Sequence, residues 1–180
     1  MASYIALLRG INVTGHNNIK MADLKQLFLN LGHLNVTTYI QSGNVIFNSK
    51  KTNIETLEKE IIDTVYKNFG YNIKVLVITK TELETIFNNN PFVKKNTIDR
   101  SKLHVTLLSY KPNLNKIETI NCLNSTTNDE FKIKDKSIYL NCPNGYGKTK
   151  LNNNFFEKKL NVSATTRNWK TITKLIELSA

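Results

Sequence analysis

Arginine is scarce in this chain. Its 180 residues hold three, Arg9, Arg100 and Arg167, against 22 lysines. Cysteine occurs twice, at Cys122 and Cys142, too far apart for metal-ligand spacing. That excludes a disulfide-stapled scaffold and a zinc site, and it fits reduced thiols in a cytoplasmic protein. No stretch approaches the roughly 20 apolar residues of a membrane span. The opening "MASYIALLRG" lacks the basic segment and cleavage site of a signal peptide and reads as a first strand. Only three histidines are present. Neither His33 nor His104 has a cysteine, serine or carboxylate at a spacing that implies a triad or a metal site, and no metal, no cofactor and no catalytic residue is assigned. A chain of this length buries about 70% of its unfolded surface and needs no staples.

Asparagine and lysine are abundant, at 26 and 22 residues. Such excess is what A+T-rich codons produce, so the net charge of +11 does not by itself imply a ligand. Its distribution says more. Residues 1–90 carry 9 basic and 7 acidic groups, whereas residues 91–180 carry 16 and 7. A basic half raises the local concentration of anions whatever its origin.

Periodicity yields an ordered series of elements. "SYIALLRG" (3–10) reads as a strand. "KMADLKQLFLNLG" (20–32) sets Met21, Leu24, Leu27, Phe28 and Leu31 on one helical face, with Gly32 as the stop. "NVTTYIQSGNVIFNS" (35–49) divides at Ser42-Gly43 into a tight hairpin. Residues 52–70 form a helix with a Thr52…Glu55 capping box, and "NIKVLVIT" (72–79) is a strand. A short helix with a Thr79…Glu82 box ends at "NNNP". The pattern then recurs: a strand (102–110), a helix (113–123) with Leu114, Ile117, Ile120 and Leu123 inward, a hairpin (130–142), a helix (150–160), a short strand (162–166) and a final helix around Trp169. The expected class is α+β. It comprises two ferredoxin-like (β-α-β-β-α-β) halves with mainly antiparallel sheets and a C-terminal helix. The expected organisation is residues 1–90, a linker at 91–102 and residues 103–180. The duplication is one of element order, with no visible repeat of residues. "YIALL" and "VLVI" are apolar at every position, so both faces of the first sheet are expected to be covered.

Four stretches, "YIALLRGINVTGHNNIKMADL", "YIQSGNVIF", "NGYGKTKL" and "TTRNWKTITKL", carry a resemblance to a bacterial family known as domain of unknown function 1697. The resemblance spans Tyr4 to Leu175 and implies two ferredoxin-like halves. It implies no activity and no site residue. One departure is Thr14 in "NVTG", where the family pattern leads one to expect glycine.

Site candidates therefore rest on chemistry. "RGINVTGHNNIK" ends a core strand with Arg9-Gly10 and spends many polar residues before the first helix. Gly10 and Gly15 allow backbone shapes that cup anions. Arg9, Asn12, His16 and Lys20 supply charges and donors, and a helix N-terminus follows. The plainer reading has Asn12 and Asn17 merely making turns. Ser42 and Asn44 in "QSGN" are donors at a neighbouring strand end, where a turn can share a rim with the first loop. "CPNGYGKTK" (142–150) resembles a phosphate loop but lacks its first glycine and its parallel scaffold. Lys148, Thr149 and Lys150 remain candidates for a looser anion site. In "TTRNW", Thr165 or Thr166 is expected to cap the last helix. Arg167 suggests planar, bidentate recognition, with Asn168 beside it. The leading expectation is a cytoplasmic binding protein for a phosphate-bearing ligand, a nucleic acid or a phosphorylated small molecule such as a nucleotide, with no membrane partner. The alternatives are an enzyme on a small anionic substrate with His16 as acid or base, and a scaffold with no ligand.

Overall fold

The computed structural model describes residues 1–121 and 128–180. The chain divides into two units, Met1–Glu84 with Leu175–Ala180, and Thr85–Lys174. In the first unit, β1 (Ala2–Arg9), α1 (Met21–Asn30), β2 (Leu34–Tyr39), β3 (Asn44–Ser49), α2 (Ile54–Phe69) and β4 (Lys74–Thr79) follow one another. Their sheet has the order β2-β3-β1-β4 with every neighbour antiparallel. α3 (Lys80–Asn88) carries the chain across the division. The second unit contains β5 (Leu103–Leu108), α4 (Leu114–Asn121), β6 (Glu130–Lys134), β7 (Ser137–Asn141), α5 (Asn153–Leu160) and β8 (Ala164–Asn168). Its order, β6-β7-β5-β8, repeats the first, again antiparallel throughout. α6 (Trp169–Leu178) closes the chain. The fold is thus two ferredoxin-like halves of an α+β protein.

Each unit has its own helix-on-sheet core. In the first, Tyr4, Ala6 and Leu8 of β1 and Val45 and Phe47 of β3 pack with Leu24, Phe28, Leu57, Ile61 and Val65 of the helices. Burying such a side chain is worth about 1.5–3 kcal/mol. Ile5 and Leu7, on the other face of β1, are equally buried, as the unbroken apolar run requires. In the second, Leu108, Phe131, Ile138 and Leu140 pack with Ile120, Phe156 and Leu160.

The two units share residue-level devices that the sequence hides. The amide of Leu8, near the end of β1, donates to the carbonyl of Gly43 at 2.8 Å; that of Leu108, ending β5, donates to Lys136 at 2.8 Å. Asn53 caps α2 by accepting from the Thr56 amide, and Asn152 caps α5 by accepting from Phe155. Five residues after each cap stands a glutamate. Glu58 accepts from the Val77 amide on the outer edge of β4 (2.8 Å), and Glu157 from the Ala164 amide on the outer edge of β8 (3.0 Å).

Several local expectations need correction. Asn53, not Thr52, caps α2, because the asparagine oxygen reaches the third amide of the helix. Asn168, not Thr165 or Thr166, caps α6: both threonines lie within β8, and Asn168 Oδ1 accepts from the Thr171 amide at 2.8 Å. The 40s hairpin is a four-residue turn, Ile40–Gly43, rather than a two-residue one, with Ile40 and Gly43 left-handed. Leu114 is 70% exposed instead of facing the core. Cys122 and Leu123 lie outside the described residues. The Thr79…Glu82 box forms reciprocally, each residue's side chain holding the other's amide. Among the described residues, no helix is long and apolar enough to cross a membrane.

His33 is 2% exposed, wedged between the rings of Phe47 and Phe28 at 4.6 and 5.9 Å. Its Nε2 has no hydrogen-bond partner among the described residues. Burial, then the Lys51 ammonium, holds its pKa below the ordinary 6.5, while Glu60 pulls the other way. His104 is lowered too, chiefly by burial. The unfolded chain therefore binds protons that the folded chain refuses. The associated stability is fully present above pH 6.5 and is lost as pH falls through the depressed folded values. Melting temperature is expected to fall between pH 7 and pH 5, and His33→Leu is expected to flatten that dependence, leaving the share of His104. An unchanged slope in the variant would show that His33 is not the acid-sensitive group.

Candidate functional site

The loop from Gly10 to Lys20 is held by asparagines. The Asn12 amide nitrogen donates to the carbonyls of Ile19 (2.9 Å) and Gln41 (2.8 Å), and its oxygen accepts from the Ile19 amide (2.8 Å). Asn17 donates to the Gly10 carbonyl at 2.8 Å, closing the base of the loop. Asn18 reaches the Gly15 carbonyl at 3.1 Å. Ile11 and Ile19 plug the loop into the core, and both are buried. Ile11 also lies where a Cβ on Gly43 would sit: such an atom would be 2.7 Å from Ile11 Cδ1, at a residue whose φ is +76°. The loop and the 40–43 turn therefore share one rim at the end of β1.

The backbone of this loop is unusual. Gly10 and Gly15 have positive φ, and so do Asn12 (54°), Thr14 (46°) and Asn17 (51°). Asparagine tolerates that region, but threonine, β-branched, does so at a cost of about 1–2 kcal/mol. Thr14 thus keeps the conformation that a glycine would adopt freely. Around it, His16 and Lys20 are exposed and Arg9 is half-buried. Lys20 sits at the N-cap of α1, whose first turn has no side-chain cap.

The remaining candidates in this unit divide by role. Asn44 is fully buried, and its amide nitrogen holds the Tyr39 carbonyl and Ser42 Oγ, both at 3.0 Å. Asn12 and Asn44 therefore shape the rim from within, while Ser42 is on its surface. Asn17, which closes the base of the loop, was legible only as a turn former.

In the second unit, the loop after β7 contains a 3₁₀ turn, Tyr146–Lys148. Thr149 is buried and donates to Asp129 Oδ2 at 2.6 Å while accepting from the Leu151 amide. The Gly-Lys-Thr triplet thus spends its threonine on an internal pin, and Lys148 is left exposed. Nothing in the sequence marked Asp129 as that partner. Burial, with Asp129 next, pushes the nearby Cys142 thiol up to about 11, which keeps it protonated and unreactive at neutral pH. Tyr146 stacks on His104 with centroids 4.8 Å apart. Arg167 lies on β8 opposite Val105 and donates to the Thr166 carbonyl at 3.0 Å; burial lowers its pKa to about 10, so it stays charged. Asn168 spends its side-chain oxygen on capping α6.

A family model described as "Protein of unknown function (DUF1697)" matches residues 1–139. Comparison with curated proteins gave no match. Among solved structures, a conserved bacterial protein from Streptococcus pneumoniae is similar over 99% of both chains, with a TM-score of 0.73 and 23% identity. At that identity the likeness establishes the fold alone.

Two substitutions test the loop's backbone. Thr14→Gly is expected to stabilise the protein by roughly 0.5–1 kcal/mol through relief of left-handed strain, less the greater freedom of glycine when unfolded. Gly43→Ala is expected to destabilise by about 1 kcal/mol or more, because the new methyl meets Ile11 at a strained φ. Urea titration measures both. A neutral Gly43→Ala would show that the turn is not locked against the loop.

Proposed function

The chain belongs to the family described as Protein of unknown function (DUF1697), a description that carries no activity, and we propose from its own residues that it binds a phosphate-bearing ligand at the rim after β1. Arg9, His16, Lys20 and Ser42 would contact the ligand, with Asn12 and Asn44 holding the surface in shape. The observation that carries this reading is Thr14. A strained, β-branched residue in left-handed conformation persists where the surroundings over-determine it, and such strain clusters at ligand sites. The loop spends its asparagines on rigidity and keeps its histidine and lysine outside, an order that suits recognition better than mere connection. A helix without a side-chain cap follows, and such a terminus favours negative charge, of which Asp23 in its first turn supplies part. The cytoplasm, where nucleotides and nucleic acids abound, is the compartment this reading entails.

Phosphate provides the test. A site that binds only the folded state raises stability by about 2.7 kcal/mol at a hundredfold excess over Kd. High concentrations also stabilise non-specifically, so each variant is compared with chloride at matched ionic strength. Wild type is expected to gain melting temperature in phosphate, and Lys20→Ala and Arg9→Ala are expected to lose most of that gain while remaining folded. Equal gains in all three proteins would refute the site. Arg9→Ala already less stable in chloride, with its phosphate gain intact, would make Arg9 a structural group.

A further inference from the structure

We propose that the margin of the second sheet, running from Tyr110 through Lys111, Lys136 and Lys134 to Lys132, is a docking surface for single-stranded nucleic acid. It belongs to the other unit and does not rest on the reading of the first loop. Tyr110 is 62% exposed, at the point where the chain leaves β5. Its position is fixed by its neighbours. The Ser109 amide donates to the Ser163 carbonyl at 2.9 Å, and the Ser163 amide donates to Ser109 Oγ at 3.0 Å. The β6–β7 turn is tied to the same corner, because Leu108 donates to the Lys136 carbonyl and Lys111 Nζ lies 3.0 Å from Asp135 Oδ1. Tyr110 and Lys111 therefore stand beside Lys136, and β6 extends the row.

Along β6 the alternation is strict. Phe131 is buried and Ile133 is packed against the core, so Lys132 and Lys134 project from the opposite face, both exposed, with the Lys134 ammonium held 2.7 Å from Asn89 Oδ1, a neutral partner that leaves its charge uncompensated. Side chains two residues apart on a strand are about 7 Å apart, so the lysines form a spaced row along an edge strand. Within the row Asp135 is the one acidic side chain. The next acid along β6, Glu130, has Lys95 at 3.9 Å. Spaced point charges along an edge suit a linear polyanion, and an exposed tyrosine at one end supplies a face for an unpaired base. Lysine lacks the bidentate fork that reads base edges, so the surface is expected to bind without sequence preference.

The experiment titrates fluorescein-labelled oligothymidylate and oligoadenylate into the full chain, with anisotropy read over a range of potassium chloride. Expected results are comparable affinity for the two strands, weaker binding to the matching duplex and a log–log salt slope of about −0.7 per phosphate contacted. Lys132→Glu with Lys136→Glu is expected to weaken binding tenfold or more and to shallow the slope. Tyr110→Ala is expected to weaken it severalfold with the slope unchanged, the signature of lost stacking. Lys158→Glu with Lys159→Glu, on α5, is expected to change little, and melting curves confirm that each variant is folded. Absence of binding at low salt, binding insensitive to Lys132 and Lys136, or preference for duplex would each overturn the proposal. So would stronger, Lys132-dependent binding to phosphatidylserine vesicles than to the oligonucleotides.

Discussion

The rim after β1 depends on one carboxamide. Asn12 joins Ile19, at the far end of the loop, to Gln41, in a turn nearly thirty residues away, through three hydrogen bonds. A net gain of about 1 kcal/mol for each is small against the entropy of ordering eleven residues. It suffices because Ile11 and Ile19 have already been drawn into the core on either side, which leaves the segment between them little freedom. Apolar anchors fix the ends, and asparagines fix the path.

The second unit solves the same topological problem with less chain. The bond from Leu8 to Gly43 has its counterpart in that from Leu108 to Lys136, so both sheets are tied at the same corner. Between corner and helix, however, the first unit inserts a long loop built on left-handed residues, and the second passes through Tyr110 to Asn113 directly. α2 runs for 16 residues and α5 for 8, yet both begin with an asparagine cap and carry a glutamate at the same remove. What recurs is the set of backbone groups needing a partner, and the recurring side chains are those that supply one.

That distribution explains what the sequence disclosed. The elements and their order were legible because apolar periodicity follows from which face is buried. The two sheet orders then follow from the β-α-β-β-α-β series. The duplication was legible as element order but not as a repeat of residues, since two asparagines and two glutamates in a chain with 26 asparagines carry no statistical signal; only their bonds identify them. The caps were misplaced by one residue at α2 and by two or three at α6, because serine, threonine and asparagine compete for that role on equal terms. In the first loop, the asparagines read as turn formers are so, and the strain at Thr14 was invisible until φ was known. Thr149 looked like part of an anion loop because its partner, Asp129, is distant in sequence and unremarkable there.

Glu58 and Glu157 have a consequence for how sheets grow. A sheet extends when a foreign strand finds outward-facing amides and carbonyls waiting on an edge. On β4 and β8 one such amide is already taken by a carboxylate from the chain's own helix, and an incoming backbone would have to displace a charged acceptor with a carbonyl. The opposite edges are defended otherwise. β2 breaks register between Leu34 and Thr37, with Asn35 left-handed, and β6 sets lysines along its length. Each edge strand of the two sheets thus carries a feature that opposes addition of a foreign strand: a carboxylate on β4 and β8, a bulge on β2 and a row of like charge on β6.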